Sequence, residues 1–234
     1  MGTIDSDTIA QFILYMVALV FSLSVHESAH AWASDRFGDD LARLQGRISL
    51  NPAVHVDPIG TLLFPAISFF TGAPLIGWAK PTPVNPLRWR NKRVANFWVS
   101  AAGVISNAII ATIAGLLMRI LFEMNLVGLR LHPFLGLAAV ANSDSLIAEG
   151  AANLLTGFFR LNVALAVFNL LPIPPLDGSK LLQSILPPSF EEGLEALERF
   201  GFILLFIAVF TGVLGIIFGV VMPLVSYLFI IGLT

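Results

Sequence analysis

Apolar residues dominate four stretches of the chain, at about 9–32, 94–123, 146–171 and 200–232, and polar residues gather in the pieces between them. A hydrocarbon core takes about 20 apolar residues to cross, so each stretch predicts a transmembrane helix. The last one is longer than a single crossing needs. It contains Gly212, Gly215, Gly219 and Pro223, so it reads as one tilted helix or as two. A further run, IGTLLFPAISFFTGAPLIGW at 59–78, is interrupted by Pro65, Gly72 and Pro74. Such a run suits a re-entrant or broken segment, which a membrane tolerates where protein or water satisfies the backbone. The pattern predicts an all-α integral membrane protein with about five to six transmembrane helices and a re-entrant segment. It is expected to form a single polytopic domain over 1–234, with no added soluble module.

Charge gives this arrangement a direction. The connector 34–58 holds Arg36, Arg43 and Arg47, 79–93 holds Lys80, Arg88, Arg90, Lys92 and Arg93, and 172–199 holds Lys180 and Arg199. The N-terminus has no Lys or Arg, and 124–145 has only Arg130. Basic connectors face the cytoplasm. If all three do so here, the 59–78 run must enter and leave on one side, as its prolines also suggest. The first span then ends near the cytoplasmic face, and residues from 172 onward come to the depth of residues 26–30.

Composition narrows the function classes. With 56% hydrophobic and 12% charged residues and a mean hydropathy of +0.85, the chain is far from soluble averages. Its net charge is only -2 and its cations are dispersed, so no nucleic-acid partner is expected. The absence of cysteine removes disulfides, thiolate metal sites and cysteine nucleophiles. The opening MGTIDSDTIA has no Lys or Arg ahead of its apolar run and does not read as a secretory signal.

Against this background the stretch VHESAHAW, residues 25–32 at the end of the first apolar run, stands out. Residues four apart share a helix face, so His26 and His30 can present two imidazoles to one metal with Glu27 beside it. An ionisable triplet in an apolar helix is costly and marks a functional site. The pattern points to zinc with a general base, and catalytic zinc takes a third protein ligand while leaving a position for water. Two regions compete for that third place. His55 and Asp57 lie in the polar connector NPAVHVDP, and Asp177 follows the third span in FNLLPIPPLDGSKLL, where it reads equally well as a helix N-cap. Pro172, Pro174 and Pro175 keep the backbone before Asp177 extended, so that it could also receive an extended peptide.

HESAH at the end of an early span, GRISLNPAVHVDPIGTL, GWAKPTPVNPLRWRN, AAGVISN and FNLLPIPPLDG together resemble the site-2 protease family of intramembrane zinc metalloproteases, over about residues 20–185. The resemblance implies a bundle with a three-helix catalytic core. It implies His26, His30 and Asp177 as ligands of one zinc ion per chain and Glu27 as catalytic base. Asn169, and Asn107 in the AAGVISN motif, are candidates for binding substrate or the oxyanion, with a helix–helix hydrogen bond as the alternative for Asn169, and His55 and Asp57 are candidates for supporting the ligands from behind or for a structural role. The family motif carries proline where this chain has Val104. The expected activity is hydrolysis of peptide bonds in or next to transmembrane segments of membrane proteins, in the plasma membrane of a prokaryote, with the active site near the cytoplasmic face. Partners are then the lipid bilayer and a transmembrane protein or peptide. A membrane metal-ion transporter is the alternative, but its usual internal repeats are not evident. An inactive family member acting as a binding protein is a third reading, against which intact HESAH and LDG argue.

Overall fold

A computed structural model describes residues 5–73 and 77–231. Helix α1 (Ser6–Arg36) begins at Asp5, whose carboxylate accepts the Thr8 amide at 2.8 Å. That cap sits where the first apolar run starts and satisfies a donor the helix leaves unpaired. A polar connector leads to the short helix α2 (Pro58–Thr71), whose first turns are π-wound. Asp57 caps it by accepting the Ile59 and Gly60 amides, and Gly72 ends it with a φ of +69°, a conformation that favours glycine. At 1.5 Å per residue α2 is too short to cross a core of about 30 Å. The chain instead comes back: the Trp78 amide donates to Gly60 O at 3.1 Å, and Thr61 Oγ1 donates to Trp78 O at 2.8 Å. The run therefore enters and leaves at one level, as a re-entrant segment does. Its Pro74 lies outside the described residues.

After the extended segment that follows Trp78, helix α3 (Lys92–Glu123) starts at an Asn91 cap. Strands β1 (Val127–His132) and β2 (Gly136–Ala141) pair antiparallel, from Val127↔Ala141 to His132↔Gly136. Helix α4 (Leu146–Leu170) starts at a Ser145 cap and is followed by α5 (Asp177–Ile185), α6 (Glu191–Arg199), α7 (Gly201–Phe210) and α8 (Val213–Ile230). The last apolar run is thus two helices, divided at Gly212 with its φ of +79°. Among the described residues, α1, α3, α4 and α8 are long and apolar enough to cross a membrane.

Helices α1, α3 and α4 pack on one another and form the frame of the site. Small residues on α3, among them Ala111, Ala114 and Gly115, let its neighbours approach closely, and Met118, Phe159, Val163 and Met222 fill the space between. Exposed Ile9, Ile13, Val17 and Phe21 line the outward face of α1 at helical spacing, as a lipid-facing surface should.

The hairpin was not legible as strands. Its second strand, GLAAVA, is made of small residues with little strand preference. It holds because the bundle supplies what an open strand edge lacks in a membrane. The Leu137 amide donates to Ser226 Oγ at 2.8 Å and the Ala139 amide to Thr156 Oγ1 at 2.9 Å. Arg160 donates to Leu137 O at 2.9 Å and Gly136 O at 3.1 Å, which explains a cation in the middle of a span.

Candidate metal centre

His26 and His30 lie on the face of α1 that meets α3, and both are nearly fully buried. The approach is close enough to require a glycine opposite them. A Cβ placed on Gly103 would stand 2.5 Å from His26 Cε1 and from His30 Nε2. Asp177 arrives from α4. The prolines end that helix at Leu170, the chain turns, and α5 begins at Asp177 itself. Gly178 makes the turn possible, since a Cβ there would collide at 2.3 Å with the carbonyl oxygens of Leu170 and Leu171. The structure therefore places Asp177 at the depth of the two histidines. The His26 and His30 Nε2 atoms are 3.0 Å apart, and Asp177 Oδ2 lies 3.3 and 3.2 Å from them.

What those three atoms can bind follows from where the protons are. A main-chain carbonyl can only accept, so Asn162 Nδ2, at 2.8 Å from Phe158 O, must be its donor end. It also donates to Ser22 Oγ at 2.8 Å. Asn162 Oδ1 then accepts from Asn107 Nδ2 at 2.8 Å, and Asn107 Oδ1 is left to accept from His26 Nδ1 at 2.6 Å. His30 Nδ1 likewise donates to Val99 O at 2.7 Å. Both histidines thus carry a proton on Nδ1, and in the neutral form each turns its Nε2 lone pair toward Asp177. Asp177 Oδ2 is buried with no hydrogen-bond partner among the described residues. Three atoms of this kind facing one another need a positive charge between them, which a metal ion or a proton supplies. A tetrahedral zinc ion with bonds of about 2.0–2.1 Å separates its nitrogen and oxygen ligands by about 3.3 Å, close to the spacing found here. The donor set fits such an ion.

Glu27 is adjacent but separate. Its Oε2 accepts from the Thr82 amide at 2.8 Å and from Thr82 Oγ1 at 2.7 Å. The two residues of the polar connector do not join the cluster. His55 is buried with Nε2 on Ser49 O at 2.8 Å, and burial pushes its pKa down from the ordinary imidazole value, so it stays neutral. Asp57 is occupied as the cap of α2. Asn107 is fully buried with both ends of its amide engaged, one of them on His26. Asn169 is half-buried and donates to Leu165 O, one turn back on its own helix, at 3.0 Å.

Sequence reasoning missed Asn162, Ser22 and Thr82. Asn162 precedes Asn169 by two helical turns, so the two share a face of an apolar helix, and that spacing was a usable signal. Thr82 offered none beyond its place between two prolines.

A sequence model of peptidase family M50 matches residues 14–208. A Bacillus subtilis protein named "Putative zinc metalloprotease YwhC" is 37% identical over 200 residues, covering 86% of this chain and 81% of its own. Proteins named "Putative zinc metalloprotease Rip2" from Mycolicibacterium smegmatis and Mycobacterium tuberculosis are each 28% identical. The first match covers 86% of this chain and 68% of the relative, the second 90% and 72%. No solved structure matches.

Proposed function

The chain belongs to peptidase family M50, that of the site-2 proteases, and is a multi-pass membrane metalloprotease; from that premise we propose that it is a zinc-dependent endopeptidase cutting peptide bonds within or beside transmembrane segments of other membrane proteins. The observation that carries the proposal is the convergence of His26 Nε2, His30 Nε2 and Asp177 Oδ2, three atoms able to ligate a metal, within 4.8 Å of one another among membrane-crossing helices. A zinc ion held there would polarise the scissile carbonyl and lower the pKa of a bound water.

The remaining work falls to the chain. Asn107 and Asn162 keep Nδ1 of His26 protonated, so that its Nε2 remains a ligand. Glu27, next to the ligands but not among them, takes a proton from the attacking water and passes it to the amide nitrogen as the peptide bond breaks. Asn169 leaves Oδ1 without a hydrogen-bond partner among the described residues, just before the proline-rich turn LPIPP, which supports a part in holding the substrate backbone.

Purified protein in detergent is expected to cleave a transmembrane peptide, to lose all activity on chelation, and to recover it with one equivalent of zinc. Activity that survives complete removal of zinc would refute the proposal.

The basic connectors support an active site near the cytoplasmic face of a prokaryotic plasma membrane. The chain has no cysteine, so single introduced cysteines report topology without background. Gln45→Cys, Arg90→Cys and Ser189→Cys, all at exposed positions, should react with a reagent confined to the cytoplasmic side, and Asp144→Cys only from the opposite side. Labelling of Gln45 and Arg90 from opposite sides would contradict the re-entrant path of α2.

A further inference from the structure

The extended segment between Trp78 and Asn85 crosses the end of the bundle that carries Glu27, and connector residues hold it in place. The Lys80 amide donates to His55 O at 2.8 Å, Arg47 donates to Lys80 O, and the Asn85 amide donates to Asp39 Oδ2 at 2.6 Å. With the Trp78 bonds to α2, the inward-facing groups recur at 78, 80 and 82, the two-residue period of a strand. Pro81 and Pro83 flank Thr82, which keeps it extended and leaves its amide as the one donor among those three residues. That amide and the hydroxyl both reach Glu27 Oε2, at 2.8 and 2.7 Å, and the hydroxyl also lies 2.9 Å from the main-chain oxygen of Glu27.

We propose that Thr82 is a positioning residue for the general base: its amide and hydroxyl hold Glu27 Oε2, and Oε1 is thereby left as the oxygen that takes the proton from water and returns it to the leaving nitrogen. The inference rests on the reading of Glu27 as the base. It also gives the connector a purpose. Arg47, His55 and Asp39 do not touch the donor cluster, but they fix the strand that presents Thr82. A carboxylate with one oxygen held by two donors cannot rotate, and base catalysis depends on that fixed geometry.

The test is Thr82→Val, which keeps the volume and the amide and removes only the hydroxyl. Loss of one hydrogen bond to a charged group is expected to lower kcat about tenfold, with KM within about twofold and zinc still at one per chain. Thr82→Ser, which restores the hydroxyl, should bring kcat back to within about threefold of the wild type. In a Glu27→Gln background, adding Thr82→Val should leave the Kd for an uncleaved transmembrane peptide unchanged. An unchanged kcat in Thr82→Val, a serine variant no better than the valine one, or an effect confined to KM or peptide affinity would overturn the proposal. Each of those results leaves Glu27 as base, whereas full activity in Glu27→Gln would remove the reading beneath it.

Discussion

Glu27→Gln is expected to lower peptide cleavage by about 10²–10⁴-fold, the usual worth of a general base, while zinc stays at one per chain. The two halves of that result have separate structural causes. Glu27 lies outside the group formed by His26, His30 and Asp177, and its Oε2 is engaged by Thr82. A glutamine can still accept those hydrogen bonds through its amide oxygen, so the local structure is conserved. It cannot take a proton. Cleavage of a transmembrane peptide, measured beside metal content in the same preparation, checks both halves. Loss of zinc from a folded Glu27→Gln protein would mean that the carboxylate is a ligand, and the division of labour would have to be redrawn.

Much of the fold could be read from the chain because a bilayer imposes simple rules. Long apolar runs gave α1, α3 and α4, whereas the run at 200–232 read as one helix or two, and the break falls at Gly212, the first of the four residues that allowed one. Pro65 and Gly72, with arginines on both sides of the run, foretold that the 59–78 segment turns back. His26, Glu27 and His30 were legible because a four-residue spacing places chemistry on one helix face without any knowledge of the rest of the fold. Asp177 needed more. Its place in the chain alone left it level with His55 and Asp57 and only the family resemblance pointed to it; the turn at Gly178 and the packing of α4 beside α1 bring its carboxylate to the histidines. The Asn162 to Asn107 to His26 chain spans three helices, so the Asn162–Asn169 spacing could mark a polar face of α4 but not the partners it meets on α3 and α1. The hairpin escaped because its second strand depends on Ser226, Thr156 and Arg160 from elsewhere in the bundle.

Asp177→Ala is expected to have the second large effect, loss of both zinc and proteolysis with membrane insertion retained. Without Asp177 two imidazoles remain, one ligand fewer than catalytic zinc sites provide, and the helix interior offers no replacement among the described residues. Insertion should survive because α5 begins at Asp177, outside the spans, and the variant removes a buried carboxylate whose Oδ2 has no hydrogen-bond partner among the described residues. His55→Ala and Asp57→Ala act at a distance. His55 bonds to Ser49 and Asp57 caps α2, so these variants should keep most of the metal, with at most the 10–100-fold losses (roughly) of residues that support ligands indirectly.

The central claim is that His26, His30 and Asp177 together hold the zinc, and metal content tests it most directly. Wild type, Asp177→Ala and His55→Ala, purified folded in the same detergent, should carry one, none and nearly one zinc per chain. Full zinc in Asp177→Ala with none in His55→Ala would contradict the account and move the third ligand to the polar connector.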